Sequence, residues 1–176
     1  LQMWATPDPV FANAQCRVYN DWAWEVFGDY YDRMSPLACV ATGDMQGAID
    51  EITRTAKLGF RGFSLPCKPT WGPGTPDDIN YNNPEYDRLW AAIQDTGLPF
   101  TFHVSTGKDP RGTKGNGGAI INYVIHSLAP TAEPIVTICS SGVLDRFPGL
   151  KFGSIEAGIG WVPWMLRAMD EAYEHH

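Results

Sequence analysis

The sequence predicts an α/β fold in which about four parallel strands alternate with helices. Short apolar runs, typical of strands buried on both faces, alternate with amphipathic helical segments along the chain. Two long segments rich in glycine and proline, residues 67–83 and 105–118, each follow a predicted strand. Strand–helix alternation gives parallel strands joined by right-handed crossovers, so both loops are expected at the carboxyl edge of the sheet.

Two architectures are compatible with this pattern. A (β/α)8 barrel, of the TIM-barrel type, builds its active site from loops at that edge, but it needs eight strands and about 250 residues. The chain has 176 residues and is interpreted as one domain over residues 1–176. An open parallel sheet fits this length better, whereas the position of the long loops favours a partial barrel. The residues alone leave both open.

The first half of the chain predicts a loop over residues 1–14 and then a helix over 14–31. Val18 and Trp22 recur on one face of that helix, and Asn20 is expected to face solvent. A strand over 37–41 and a helix over 45–56 follow, with Gly59 as the helix terminator. The second strand covers 61–65, and Pro66 is expected to end it.

The second half predicts two more strands and four helices. A helix beginning at Asn83 and Pro84 is terminated by Gly97, and the third strand covers 98–104. Helices over 119–128 and 132–146 precede the fourth strand, 151–155. A last helix starts near residue 162 and runs to the end.

Composition restricts the class of protein. The formal net charge of −7 disfavours a nucleic-acid partner, which requires a basic surface. There is no apolar stretch that could span a bilayer and no signal-peptide pattern at the start. The spacing of the four cysteines matches no zinc or redox motif, which indicates free thiols in a reducing cytoplasm.

Two polar residues stand at the ends of predicted strands. His103 lies near the end of the third strand and is followed by a polar, flexible loop, and imidazole is both a common metal ligand and a general base. Glu156 follows the fourth strand directly and precedes small residues that leave space in front of it. It is interpreted as a catalytic base, a metal ligand or a salt-bridge partner within the site.

The loops supply three candidate substrate-binding residues. Lys68 and Trp71 lie in the first long loop and suit a carboxylate or an aromatic ring, and Arg111 in the second suits an anionic group. His126 is interpreted as structural because it is far from any strand end. The seven tryptophans leave open a carbohydrate- or aromatic-binding module, although several are spaced as helix core residues.

Three stretches carry a resemblance to a known family: ATGDMQGAIDEITRTAKLGFRGFSLP, the run FHVSTG with the helix before it, and SGVLDRFPGLKFGSIEAGIGWVPWML. Together they resemble the amidohydrolase family 2, the relatives of aminocarboxymuconate semialdehyde decarboxylase, over about residues 17–176. The resemblance implies a metal-dependent (β/α)8 barrel in which His103 ligates a divalent metal, with zinc expected and manganese an alternative. Glu156 stands where the decarboxylases of the family have a catalytic histidine.

The family's H-x-H pair on its first strand and its aspartate on the last strand are not in this sequence. The chain is therefore interpreted as an internal part of a barrel. The resemblance implies a metal-dependent hydrolase or a non-oxidative decarboxylase acting on a small carboxylated or aromatic substrate. The alternative is a catalytically inactive partial barrel that acts as a structural piece. Open strand edges make a homo-oligomer the expected state.

Overall fold

The computed structural model describes residues 3–69, 80–107 and 112–175. Within these residues the fold is built on one sheet of four parallel strands in the order β1-β2-β3-β4. The strands are β1 (Ala38–Cys39), β2 (Phe63–Lys68), β3 (Phe100–Gly107) and β4 (Phe152–Ile155).

The strand order decides between the two architectures. Each strand pairs with the one that follows it in the chain, so the order never reverses. Right-handed crossovers between such strands place all connecting helices on one face of the sheet. An open doubly wound sheet instead reverses its order at a switch point and carries helices on both faces. The sheet is therefore an arc of a barrel, as the position of the loops favoured.

Seven α-helices accompany the strands in the described residues. Gly59 and Gly97 end the second and third helices with positive φ angles of 112° and 68°, as the sequence predicted. The helix predicted over 132–146 is wrong in one respect, because Gly142, at φ 69°, divides it in two. The helices are α1 (Pro9–Phe27), α2 (Met45–Leu58), α3 (Asp87–Thr96), α4 (Gly118–Tyr123), α5 (Glu133–Ser140), α6 (Val143–Arg146) and α7 (Val162–His175).

The main core lies between the sheet and its helices. Phe100 and Phe102 on β3 point into it and are fully buried, together with Trp90 and Ile93 of α3 and Ile52 of α2. Alternate residues of β3 point to the opposite face, which is the concave side of the arc, and are partly exposed. That opposite face carries His103.

The predicted orientation of α1 is wrong. The helix begins at Pro9, where the Asp8 side chain accepts a hydrogen bond from the Phe11 N–H, so the predicted loop 1–14 is shorter than expected. The expected core residues Val18 and Trp22 are 70% and 51% exposed, whereas Asn20 is fully buried. Hydrogen bonding of the amide, rather than the apolar pattern, determines which face of α1 meets the sheet.

Two strands extend further than predicted. β2 continues through Pro66 to Lys68, and β3 continues to Gly107. Proline has no N–H and so interrupts a ladder of main-chain hydrogen bonds. At this register position the Val40 carbonyl would accept from the N–H of residue 66, and it accepts instead from Trp4 Nε1 at 3.0 Å.

No helix in the described ranges is long and apolar enough to cross a membrane.

Candidate active site at the carboxyl edge of the sheet

His103 and Glu156 meet at the carboxyl edge of the sheet. The register pairs His103 on β3 with Ile155 on β4, and Glu156 is the next residue. Its backbone adopts φ 62°, which is uncommon for a residue with a Cβ atom, and its carboxylate comes within 3.2 Å of His103 Nε2. The side chains are 36% and 66% exposed, so the pair is open to ligands.

The other ring nitrogen of His103 determines the tautomer. Nδ1 lies 2.9 Å from the Val104 carbonyl oxygen, which can only accept, so Nδ1 carries a proton and donates it. β4 pairing ends at Ile155, which frees this carbonyl from the ladder. A neutral His103 therefore has its lone pair on Nε2, facing the carboxylate of Glu156.

This arrangement has a direct chemical consequence. A lone pair on Nε2 and a carboxylate oxygen repel each other at 3.2 Å unless a proton or a cation lies between them. The pair can therefore share a proton as imidazolium and carboxylate, or it can supply two ligands to a metal ion. Two ligand atoms each about 2.1 Å from one tetrahedral ion are about 3.4 Å apart, close to this separation.

The donor set fits a metal only in part. His103 and Glu156 supply one imidazole and one carboxylate, which are suitable ligands for zinc or manganese. Within residues 3–69, 80–107 and 112–175 no group of three or more His, Cys, Asp or Glu side chains could hold an ion. A catalytic metal site uses three protein ligands as a rule, so further donors are needed to complete it.

Lys68 lies at the same edge but in a separate cluster. Its Nζ is 2.5 Å from Glu133 Oε2 on α5, and Asn80 donates from Nδ2 to Glu133 Oε1 at 2.8 Å. Glu133 was not among the residues expected from the sequence. The signal for it was an acidic residue before Pro134 in the first turn of a helix, a favourable position next to the helix dipole.

Two expected site residues are not placed by the structure, and His126, which was interpreted as structural, lies away from the strand ends. Trp71 and Arg111 lie outside the described residues. His126 lies in a π-helical turn after α4, with Nε2 3.3 Å from Thr113 Oγ1.

A groove of about 430 Å³ on the concave face leads to His103. One wall is aromatic, and small polar side chains from the strands form the floor. This groove was not visible in the sequence because its walls come from segments far apart in the chain. Its lining includes Trp4, Tyr19, Phe27, Ser64, Thr101 and His103.

Cys67 contacts His103 but is not suited to act as a nucleophile. Its thiol lies 3.1 Å from the His103 carbonyl, to which it donates. Burial raises the pKa of the Cys67 thiol to about 11, so it remains protonated near neutral pH. Cys16 and Cys39 are also buried, Cys139 is exposed, and none of the four is in a disulfide.

The parallel strands follow one another in chain order, and an imidazole meets a carboxylate at their carboxyl edge. These two features define a protein of the (β/α) barrel class, in which the active site lies at that edge. Residues 5–176 match the amidohydrolase family, and the chain belongs to this family. The predicted family and the predicted partial barrel are thus confirmed.

Three relatives illustrate the similarity. The gamma-resorcylate decarboxylase of Rhodococcus jostii (strain RHA1) is 28% identical over 152 residues, which is 79% of this chain and 43% of the relative. An amidohydrolase from Mycobacterium avium subsp. paratuberculosis K-10 superposes with a TM-score of 0.79 at 21% identity, over 96% of this chain and 44% of its own. A dihydroxybenzoic acid decarboxylase from Polaromonas sp. JS666, with bound manganese and 2-nitroresorcinol, gives a TM-score of 0.68 at 23% identity, over 86% and 46%.

The chain spans less than half the length of these relatives.

Proposed function

We propose that the chain contributes His103 and Glu156 to the active site of a metal-dependent decarboxylase or hydrolase acting on small aromatic carboxylates. Membership of the amidohydrolase family and similarity to two decarboxylases support this class of reaction. The single observation that carries the proposal is the 3.2 Å approach of Nε2 to the Glu156 carboxylate, with Nδ1 already committed to Val104.

His103 Nε2 is the proposed metal ligand, because its lone pair is free while Nδ1 is bonded to the Val104 carbonyl. Zinc is the metal we expect, and manganese, present in the Polaromonas relative, is the alternative. A divalent metal bound there would polarise a substrate oxygen or activate a water molecule. The remaining donors are proposed to lie in the parts of the barrel that the relatives have beyond this span.

Glu156 is the proposed proton-transfer group. Non-oxidative decarboxylation breaks the bond between the ring and the carboxylate carbon, leaves the electron pair on the ring carbon, and replaces carbon dioxide with a proton. A protonated Glu156 can deliver that proton, and its ionised form can accept one from water in a hydrolysis. Its 66% exposure leaves the carboxylate open to a ligand beside His103, which lines the groove.

Substrate binding is proposed to use the groove and the loops. The aromatic wall of the groove offers a surface for a ring whose carboxylate is directed toward His103. Lys68 at the end of β2, together with Trp71 and Arg111, supplies the other proposed contacts. Since Lys68 is already paired with Glu133, a substrate anion would share its charge with that carboxylate.

Calorimetric titration of the protein that carries this chain, with zinc chloride and with manganese chloride, tests the metal proposal. We expect His103→Gln to lower the affinity at least about tenfold, because it removes the nitrogen ligand. His126→Gln is the matched control and should bind as the unmodified chain does. Equal binding by the His103→Gln variant and the unmodified chain would remove His103 from the site. Release of carbon dioxide from 2,6-dihydroxybenzoate by the protein that carries this chain tests the reaction.

A second candidate function is a catalytically inactive partial barrel. It is favoured by α7, none of whose described side chains is buried, and by the exposure of Trp164 and Leu166 at 67% and 58%. We propose that a second copy covers this surface, which makes the chain a homo-oligomer. Sedimentation of a compact monomer at micromolar concentration would contradict it.

The single domain over residues 1–176 and a cytoplasmic location are also proposals. The first is supported by one sheet that joins all described strands, and the second by four cysteines without a disulfide. Limited proteolysis tests the first by whether one resistant product is obtained, and cell fractionation tests the second.

A further inference from the structure

The hydroxyl of Thr106 lies between two main-chain groups that a regular parallel ladder would join directly. β2 and β3 pair in register from Phe63 with Phe100 as far as Pro66 with His103. If that register continued by one more residue, the Cys67 N–H would donate to the His103 carbonyl. The next pair is instead Lys68 with Gly107, so β3 carries two extra residues at this point.

Thr106 restores the hydrogen bonds that the bulge interrupts. Its Oγ1 accepts from the Cys67 N–H at 3.0 Å and donates to the His103 carbonyl at 2.5 Å. The side chain is buried, with 5% exposure, so solvent is a poor substitute for this hydroxyl. One hydroxyl thus joins a buried donor and an acceptor of two adjacent strands, and the Cys67 thiol is a second donor to that acceptor.

The same bond closes a tight turn around the residues between His103 and Thr106. Ser105 within this turn has φ 61°, one of two described residues other than glycine with a positive φ; the other is Glu156. The turn also contains Val104, whose carbonyl accepts from His103 Nδ1. The orientation of that carbonyl therefore depends on the closure made by Thr106.

We propose that Thr106 is a positioning residue for the His103 imidazole. By closing the bulge, its hydroxyl directs the Val104 carbonyl at Nδ1, holds the ring proton there, and leaves the Nε2 lone pair facing Glu156. The inference deepens the proposed function, since it concerns the same imidazole. All the hydrogen bonds that position this imidazole are between residues of this chain, so none of them depends on a bound metal or substrate.

Three variants separate the hydroxyl from the shape of the side chain. Thr106→Val removes the hydroxyl and keeps the volume, and Thr106→Ser keeps the hydroxyl. Thr101→Val is the matched control: it lies on the same strand, and its hydroxyl makes only a 3.4 Å contact with the Phe63 carbonyl. The readout is long-range ¹H–¹⁵N correlation of the ring in alkaline buffer, which reports the nitrogen that carries the proton, with His103→Gln used for assignment.

In the unmodified chain, in Thr106→Ser and in Thr101→Val, we expect the proton on Nδ1. In Thr106→Val the fraction with the proton on Nε2 should rise about twofold or more, because the acceptor at Nδ1 is no longer held. An unchanged ratio in Thr106→Val would overturn the proposal, as would a serine variant that behaves like the valine variant.

If Thr106→Val does not fold, the unmodified chain still decides the matter, since a proton found on Nε2 there overturns the proposal. These measurements require neither metal nor substrate. Failure of metal binding or of decarboxylation would therefore contradict the proposed function and leave the role of Thr106 in place. Conversely, an unchanged tautomer ratio in Thr106→Val, together with metal binding and decarboxylation, would overturn the role of Thr106 and leave the proposed function in place.

Discussion

The side-chain amide of Asn20 bonds both main-chain groups of Cys39. Nδ2 donates to the Cys39 carbonyl at 2.9 Å, and Oδ1 accepts from the Cys39 N–H at 2.8 Å. Ala38 and Val40, on either side of Cys39, donate their N–H groups to carbonyls at β2, so the N–H and carbonyl of Cys39 point away from the sheet. The amide thus occupies the place of the peptide group that another strand would provide, and it covers this edge of the sheet.

Replacement of Asn20 by alanine should lower the free energy of unfolding by about 2–4 kcal/mol, because it leaves a buried N–H and a buried carbonyl unpaired. The loss includes the bond from Nδ2 to Glu51 Oε1 at 2.8 Å. Asn13→Ala is the control: its half-buried amide makes a single bond to Asp44, and we expect a loss below about 1 kcal/mol. Urea denaturation measures both, and equal losses would show that the edge is covered in another way.

Trp4→Phe should cost about 1–3 kcal/mol of unfolding free energy. The ring volume is largely kept, but the Nε1 donor to the Val40 carbonyl is lost, and Pro66 has no N–H to replace it. Trp164→Phe, at a position 67% exposed, should leave the stability within about 0.5 kcal/mol of the unmodified chain. Thermal denaturation measures both variants. An unchanged midpoint in Trp4→Phe would contradict the explanation that Trp4 Nε1 replaces the N–H that Pro66 lacks in β2.

Glu156→Gly should stabilise the chain by about 0.5–1 kcal/mol while removing the carboxylate from the site. Its φ of 62° is strained for a residue with a Cβ atom, and glycine removes that strain at some cost in unfolded-chain entropy. Glu156→Gln keeps the backbone strain and should change stability by less than about 0.5 kcal/mol. A glycine variant less stable than the glutamine variant would show that side-chain contacts outweigh the strain.

Stability should decrease with pH in the alkaline range. Burial raises the pKa of Cys67 to about 11 and that of Cys16 to about 12, from an ordinary value of 9.0. Above pH 9 the unfolded chain releases thiol protons that the folded chain retains, so unfolding is favoured. The contribution of these groups is complete below pH 9 and is lost progressively as the pH rises toward 12.

Urea denaturation between pH 8 and pH 11 measures this decrease, with a slope of up to about 1.4 kcal/mol per pH unit for each buried group. Cys16→Ala should reduce the slope. Burial also raises the pKa of the exposed Cys139 thiol, but without a large shift, so Cys139→Ser should reduce the slope by less. A constant free energy of unfolding across this range would contradict the assignment of these thiols as buried and protonated.

The sequence by itself determined the order of elements and the two residues at the strand ends. Helix termini at Gly59 and Gly97 depend on local backbone conformation, and His103 and Glu156 each follow the apolar core of a strand. Such features depend on residues close in the chain, so their periodicity and spacing are visible without a structure. The choice between barrel and open sheet was not visible, because strand order is a relation between distant segments.

Only the tertiary structure decided how the polar groups pair. Asn20 reaches Cys39 across 19 positions, Trp4 reaches Val40 across 36, and Thr106 reaches Cys67 across 39. In each pair a side chain satisfies a main-chain group that an irregularity of the sheet leaves without a partner. The sequence shows which side chains can donate and accept, but the chain must fold before it is known which main-chain groups require them.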